Sequence, residues 1–335
     1  MTTISDVAKI AGVSRASVSR VINNNSSVNE EIRQKVLKAM DELGFTPNVS
    51  ARNLRIKQTK TLAVIVPLIS NPFFSRLVQT MGIEAEKLGY KLLICQSRHD
   101  LKDEKNFLDL LKTRQVDGIV MASVRNSWEF IKGYLQYGPI ILCNEYFTDS
   151  DAAIPIVKVD QKQGGYLSAK HLLKLGHKRI AFCISDNESR SGLERKEGFL
   201  QALKEFNLTF NDSLIMNNAF DITSGREIFY RLRSLPEPVT AVFTGSDEVA
   251  VGIISEAKKN GVRIPEDLAV VGFDDLPIAK IIEPNLTTIH QPIDKIATTS
   301  IETIIKLVEN EIDSSEIRPI EFPLELIIRE STVGV

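Results

Sequence analysis

Apolar residues recur at helical spacing over the first 45 positions and gather into short continuous runs after residue 60, so the chain changes architecture there. Val7, Ala8 and Ala11 share one helical face, with Thr3 placed to cap the N-terminus and Asp6 to complement it. Gly12 stands where that helix must stop, because glycine accepts the left-handed conformation that ends helices. Ser14 can cap a second helix whose buried stripe is Val18, Val21 and Ile22. A third helix is predicted after Ser27-Val-Asn-Glu30, which has the form of a capping box, with Ile32, Val36, Met40 and Leu43 inside and Gly44 and Pro47 ending it.

From Thr61 onward the pattern is strand, helix, strand. Leu62–Val66, Leu92–Cys95, Gly118–Met121, Ile140–Cys143 and Ile154–Val159 are apolar runs separated by amphipathic stretches. A second series follows at Ile180–Ile184, Leu214–Met216, Ala241–Thr244 and Leu268–Phe273. Near-continuous apolar strands alternating with helices imply parallel sheets covered on both faces. Two series imply two Rossmann-like lobes, with ligands at the carboxyl ends of the strands and in the cleft between. The segments around Asp160, Gln291 and Phe322 read as crossings between lobes, with Ile320–Ile328 a tail strand across one of them. The expected division is a headpiece over 1–46, a hinge and linker over 47–60 and a body over 61–335. Lobe one takes about 61–160 and 292–321, and lobe two about 161–291 and 322–335.

The second helix leaves Arg15, Ala16, Ser17, Ser19 and Arg20 on its outer face. Small, hydroxyl and arginine side chains suit the major groove of DNA: arginine pairs with guanine edges and serine bonds phosphates. Helix, glycine turn and helix make the helix-turn-helix arrangement, the plain alternative being a solvated helical hairpin. Residues 48–57 could form about two helical turns carrying Arg52, Arg55 and Lys57 around one apolar residue, Leu54. So short a helix is marginal alone. With a single apolar wedge it suits the minor groove, where an inserted leucine unstacks a base step.

Charge sharpens this reading. Residues 1–60 hold ten Lys/Arg against five Asp/Glu, a balance of +5, whereas the whole chain stands at −2, leaving −7 for the remainder. A basic head on an acidic body places a nucleic-acid partner at one end only. No apolar run approaches the length of a membrane span, and Asp6 and Lys9 interrupt any signal-peptide core. Cys95, Cys143 and Cys183 each sit in a strand-like run, which suggests buried reduced thiols rather than a disulfide framework. The four histidines show no metal-ligand spacing, and neither a Gly-rich phosphate loop nor a nucleophile elbow occurs. Neither a metal nor a cofactor is expected, nor an enzyme.

Within the body, Arg190 and Arg195 follow the run Ile180–Ile184, Phe220 is placed to wall lobe two, and Asp247 and Asp274 stand near strand ends on the cleft side. An aspartate and an arginine in a cleft give directional bonds to sugar hydroxyls.

The chain resembles the lactose-repressor/galactose-repressor family of bacterial transcription regulators along essentially its whole length. The carriers are Ile4-Ser-Asp-Val-Ala-Lys-Ile-Ala-Gly-Val-Ser14, Val18-Ser-Arg-Val-Ile-Asn23, Gly44-Phe-Thr-Pro-Asn48 and Ala51-Arg-Asn-Leu-Arg55. Further carriers are Val116-Asp-Gly-Ile-Val120, Gly164-Gly-Tyr166, Leu175-Gly-His-Lys-Arg-Ile180, Gly198-Phe199, Val271-Gly-Phe-Asp274 and Leu286-Thr-Thr-Ile-His-Gln-Pro292. The resemblance implies a helix-turn-helix headpiece, a hinge helix, a body like a periplasmic sugar-binding protein, and a dimer on a pseudo-palindromic operator. It matches Arg15, Ala16 and Arg20 to operator-contacting positions and Leu54, flanked by Arg55, to the minor-groove lever; Ser14, Ser19 and Asn23 complete the expected DNA-binding set. It also matches Asn71, Phe73, Phe74, Arg195 and Asp274 to effector-pocket positions; with Arg190, Phe220 and Asp247, placed on the cleft side by the strand pattern, these make the expected effector contacts, while Asp160 is either structural or ligand-binding. The implied function is a cytoplasmic repressor of carbohydrate-utilisation genes, set by a sugar or sugar phosphate in the cleft. Two alternatives remain open: a carbon-catabolite regulator with a phosphorylated phosphocarrier protein as corepressor and, remotely, a sugar-uptake binding protein.

Overall fold

The computed structural model describes residues 2–22, 27–45, 58–147, 154–185, 190–314 and 317–334. The chain falls into two units, Met1–Thr59 and Lys60–Val335.

In the first unit, α1 (Ile4–Ala11) is opened by a reciprocal cap: the Asp6 carboxylate accepts from the Thr3 amide at 2.9 Å while the Thr3 hydroxyl accepts from the Asp6 amide. Gly12 closes the helix at φ +65°. The helix α2 (Arg15–Ile22) starts where the Ser14 hydroxyl accepts from the Ser17 amide at 3.1 Å. The cap of α3 (Glu30–Glu42) is Asn29, whose side chain accepts from the Glu31 amide at 2.8 Å, and not Ser27 as the capping-box spacing predicts. Asn29 and Ser27 are both good caps, and the local turn decides between them. Val7, Ala8, Ala11, Val18, Val21, Val36 and Ala39 are buried together, with Ile22, Ile32, Met40 and Leu43 half-buried around them.

The second unit holds two six-stranded sheets. The first comprises β1 (Thr61–Val66), β2 (Lys91–Gln96), β3 (Gly118–Met121), β4 (Ile140–Cys143), β5 (Ile156–Val159) and β11 (Ile320–Phe322), ordered β11-β5-β4-β3-β1-β2 and parallel throughout. The second comprises β6 (Ile180–Ile184), β7 (Ile215–Asn217), β8 (Ala241–Phe243), β9 (Ala269–Asp274), β10 (Thr287–His290) and β12 (Glu325–Ile327), ordered β12-β10-β9-β8-β6-β7. Only β12 runs antiparallel to its neighbour. The helices α4 (Pro72–Lys87), α5 (Leu101–Lys112), α6 (Trp128–Lys132) and α11 (Ile293–Val308) belong to the first lobe. The helices α7 (Gln161–Lys174), α8 (Arg190–Glu205), α9 (Ile222–Arg233), α10 (Asp247–Lys259) and the short α12 (Glu330–Val333) belong to the second. One apolar cluster fills the outer face of each sheet, and a third runs through the remaining faces of both lobes.

Two features depart from the sequence reading. The tail expected as one strand over 320–328 is two strands in different sheets, β11 and β12. Pro323 lies between them, and a proline cannot donate to a ladder. Conversely, Thr287–His290, which is not among the apolar runs, is a full strand, and the crossing expected around Gln291 follows directly after it. Its buried threonines escape an apolar-run search because their hydroxyls are paired internally, Thr287 with the Arg329 carbonyl at 2.8 Å and Thr288 with Asp247. The chain crosses between lobes after β5, after β10, and between β11 and β12.

Close helix contact aligns the second lobe. A side chain on Gly165 of α7 would place its Cβ 1.9 Å from the Arg195 carbonyl oxygen, and one on Gly198 of α8 would stand 1.8 Å from the Lys162 carbonyl. The two helices therefore touch backbone to backbone, which fixes where α8 presents Arg195.

Candidate effector cleft and DNA-binding face

The carboxyl ends of both sheets open onto one cavity of about 380 Å³. Several strand ends turn sharply there. Asn144, Asp274 and Asp275 have φ of +58°, +111° and +54°, values that Asn and Asp tolerate better than other side-chain-bearing residues. Asp274 lies outside the ordinary left-handed well, a strain that is held only by its surroundings and is common at ligand sites.

From lobe one come Asn71, Phe73 and Phe74. Asn71 caps α4 by accepting from the Phe73 amide at 2.9 Å, and Pro72 at the first helical position fixes the turn. Phe73 and Phe74 meet edge to face with centroids 5.1 Å apart, giving the cavity an aromatic wall.

From lobe two comes Arg195. Its guanidinium carbon sits 3.6 Å from the Phe273 ring centroid, its Nε donates to Gln161 at 2.8 Å, and its Nη1 donates to the Gly245 carbonyl at 2.6 Å. Burial lowers its pKa to about 10, opposed by Asp274, Glu145 and Glu194. Burial likewise pushes the Asp274 carboxyl up to about 7, with Arg195 and a 2.6 Å bond from the Gln291 amide pulling the other way. Gln291 in turn accepts from the Asn144 amide at 3.1 Å, so one hydrogen-bonded chain joins the ends of β4 and β9 through a lobe crossing. Phe220 lines the cavity and is 44% exposed, leaving a ring face for a ligand.

Two expected effector residues lie elsewhere. Asp247 is fully buried beneath the cleft and lines no part of it: its carboxylate accepts from the Leu276 amide at 2.7 Å and the Thr288 hydroxyl at 2.5 Å. Its helical neighbour Glu248 faces the cavity instead. Arg190 lines a smaller cavity of about 200 Å³ and pairs with Glu194 at 3.1 Å. Asp160 caps α7 through the Gln163 amide at 2.9 Å and does not line the main cavity.

Sequence reasoning missed Asn144, Glu145, Gln161, Glu248 and Gln291, all of which line the cavity. Asn144 and Glu145 directly follow the apolar run of β4, so the rule that ligands gather at strand carboxyl ends points to them. Burial pushes the Glu145 carboxyl up to about 8, countered chiefly by Arg125.

On the headpiece, Ser14, Arg15, Ala16 and Arg20 are exposed and Ser19 is half-buried. Asn23, Leu54 and Arg55 lie outside the described residues. The three cysteines are buried, and burial raises their thiols to about 11 for Cys95 and about 12 for Cys143 and Cys183. Among the described residues no group of three His, Cys, Asp or Glu could hold a metal, and no helix is long and apolar enough to cross a membrane.

Comparison with known proteins decides the family. Residues 3–48 match the bacterial regulatory proteins of the lacI family, and residues 59–330 match the periplasmic binding proteins and sugar-binding domain of the LacI family. The chain belongs to the LacI family of bacterial regulatory proteins. It is 41% identical, over 99% of its own length and 100% of the relative's, to the NTD biosynthesis operon regulator NtdR of Bacillus subtilis. Its fold matches the lac repressor dimer bound to operator and the anti-inducer ONPF at a TM-score of 0.86, with 25% identity over 99% of both chains. It also matches a complex of the regulator CelR with cellobiose at 0.74, with 27% identity over 99% of this chain and 100% of the other. As a LacI-family regulator, the chain joins a DNA-binding helix-turn-helix headpiece to a body of the sugar-binding type.

Proposed function

We propose that this LacI-family protein is a cytoplasmic repressor of carbohydrate-utilisation genes, acts as a homodimer on a pseudo-palindromic operator, and responds to a sugar or sugar phosphate in the interlobe cleft. The observation that carries this reading is the convergence of Arg195, Asp274 and the Phe73–Phe74 wall on one cavity built from both lobes. Aromatic faces with a few directed polar groups suit a polyhydroxylated ring. Arg15 and Arg20 read base edges and phosphates, and Ser14 and Ser19 add hydroxyl contacts.

Dimerisation is supported by the open edge of the first sheet. Leu93 and Ile94 of the edge strand β2 and Ile83 of α4 are 42%, 49% and 50% exposed. An uncovered apolar strand edge is a template for pairing. The structural likeness to a regulator described as a dimer on its operator agrees with this.

The decisive experiment is thermal unfolding across a panel of sugars, sugar phosphates and purines, followed by operator binding with and without each hit. A ligand that binds only the folded body raises the midpoint by mass action. A sugar that does so and changes operator affinity by a coupling of about 1–3 kcal/mol supports the proposal. A flat response across the sugars, together with capture of a phosphorylated phosphocarrier protein, overturns the effector reading in favour of a protein corepressor.

A further inference from the structure

The second unit begins at Lys60, directly after Thr59, and several residues distant in sequence hold it there. The Lys60 amide donates to the Asp117 carboxylate at 2.7 Å, and its carbonyl accepts from the Lys91 amide at 2.8 Å. Its ammonium donates to Glu309 at 2.8 Å and to the Tyr90 hydroxyl at 3.2 Å, and stands 4.3 Å from the Tyr90 ring centroid. Lys60 keeps a left-handed φ of +51°, a conformation that a residue with a side chain holds only where its surroundings impose it. An ion pair as exposed as Lys60–Glu309 adds little stability, so these bonds serve to aim the chain more than to hold the fold.

Glu309 ends α11, and the other end of that helix starts in the cleft. Gln291, two residues before α11, donates to Asp274 at 2.6 Å and accepts from Asn144 at 3.1 Å. In the first turn of α11, Asp294 is bonded by Arg76 at 2.7 Å and Thr80 at 2.9 Å, both of α4. Near the last turn, Gly118 lets the helix lie close on β3: a Cβ there would stand 2.9 Å from Ile304 Cγ1. The sixteen residues of α11 span ~24 Å, and a helix packed this closely answers a push at one end by shifting rather than compressing. We infer that Lys60 is a positioning residue for regulation, through which the Asp274–Gln291 end of the cleft acts on the linker by way of α11 and the Glu309–Lys60 bond. This rests on the cleft being the effector site and the headpiece binding an operator. A ligand that takes the Asp274 carboxylate releases the Gln291 amide, which moves the start of α11 and with it the point where Glu309 holds Lys60. Asp117, which grips the Lys60 amide, directly precedes the glycine against which α11 packs, so both grips on Lys60 follow the same helix.

The test is a double-mutant cycle on the full-length protein, read by fluorescence anisotropy with a pseudo-palindromic duplex that the wild-type protein selects from a random pool. Gln291→Ala is expected to change the Kd for that duplex by at least about five-fold, the lower end of ordinary coupling between sites. The direction depends on which lobe arrangement favours DNA. In a Lys60→Met background the same change should fall to within about two-fold, the scatter expected of independent sites. Lys60→Arg, which keeps the charge beside Glu309 and Tyr90, should restore it, a rescue that a merely structural role for the lysine stem would not produce. Asp274→Asn preserves the shape of the cleft and serves as a second cleft-side change if Gln291→Ala does not fold. A cleft-side effect that persists at full size with Lys60→Met overturns the inference, and so does a wild-type background in which neither cleft variant alters DNA affinity; both results leave the cleft standing as the effector site. A wild-type protein that selects no duplex overturns the operator reading and this inference together.

Discussion

Arg195 sits over Phe273 with its guanidinium carbon 3.6 Å from the ring centroid, and the next residue in the chain, Asp274, presents its carboxyl to the same cavity. One strand end thus supplies both the platform beneath the arginine and the acid beside it. Lysine keeps the charge but lacks the planar fork that bonds Gln161 and Gly245 together. Arg195→Lys is expected to weaken effector binding by about 10–100-fold, in line with ~1.5–3 kcal/mol for a hydrogen bond to a charged group. Calorimetry with the sugar identified in the thermal panel checks this; an unchanged Kd would place the ligand elsewhere.

The backbone contact of α7 with α8 makes a remote substitution act on the same arginine. Gly165→Ala puts a methyl where the Arg195 carbonyl oxygen already lies, 1.9 Å from the ideal Cβ position. Helix backbones cannot yield as a flexible side chain does, so α8 must shift. The expected cost is about 1–3 kcal/mol of stability from overpacking, together with weaker effector binding. Denaturant unfolding and ligand titration of the same variant should both move; a loss of stability with unaltered affinity would show that α8 does not set the arginine's position.

Asp274 ties stability and affinity to pH. Its carboxyl titrates at about 7 in the folded protein against an ordinary 3.8, because burial penalises the charge. Between those values the unfolded chain has released a proton that the folded chain keeps. The unfolded state therefore binds fewer protons, and stability from this group falls as pH rises from about 4 to about 7. Relative to Asp274→Asn, the wild-type melting temperature should decline across that window and level off above it. Hydroxyl groups that donate to Asp274 favour its ionised form, so sugar affinity should improve as pH rises through neutrality. Titrations at pH 6.5 in two buffers of different ionisation enthalpy should then reveal proton release on binding; equal heats in the two buffers would exclude it.

On the proposed operator-binding reading, direct readout by the headpiece is expected to fall chiefly to Arg15. Ala16 beside it can offer a base only an apolar contact, such as one with a thymine methyl. Arg15→Ala should cost about 1–3 kcal/mol of discrimination between operator and scrambled DNA while leaving nonspecific affinity nearly intact. Fluorescence anisotropy against both duplexes at fixed salt measures this, and retention of full preference would assign the readout to other residues.

The two lobes were legible because parallel strands buried on both faces are written as continuous apolar runs, and Leu62–Val66 and Ile180–Ile184 lie within strands of the structure. Thr287–His290 hid from that search because its hydroxyls are satisfied by residues distant in sequence. The cleft was legible where chemistry and strand ends coincide, as at Asp274. It was not legible at Gln161 and Gln291, whose position depends on where the chain crosses between lobes. Asp247 misled for a local reason. It begins a helix next to Glu248, and in a helix adjacent side chains point about 100° apart, so only one of the two can face the cleft. Nothing in the chemistry of two neighbouring acids says which one does.

That distinction gives Asp247 a signature unlike that of a ligand contact. Its carboxylate holds the Leu276 amide and the Thr288 hydroxyl, joining the start of α10 to β10 and the segment after β9. Asp247→Ala leaves that amide and hydroxyl without their partner in the interior, at about 1–3 kcal/mol for each buried group so orphaned. Gly272 also packs against this carboxylate, so its loss opens a void beside β9. The variant should melt several degrees lower, yet bind the effector with nearly wild-type affinity wherever it is folded. Thermal unfolding and calorimetry at a temperature well below the transition separate the two effects. A large rise in Kd without loss of stability would return Asp247 to the effector site.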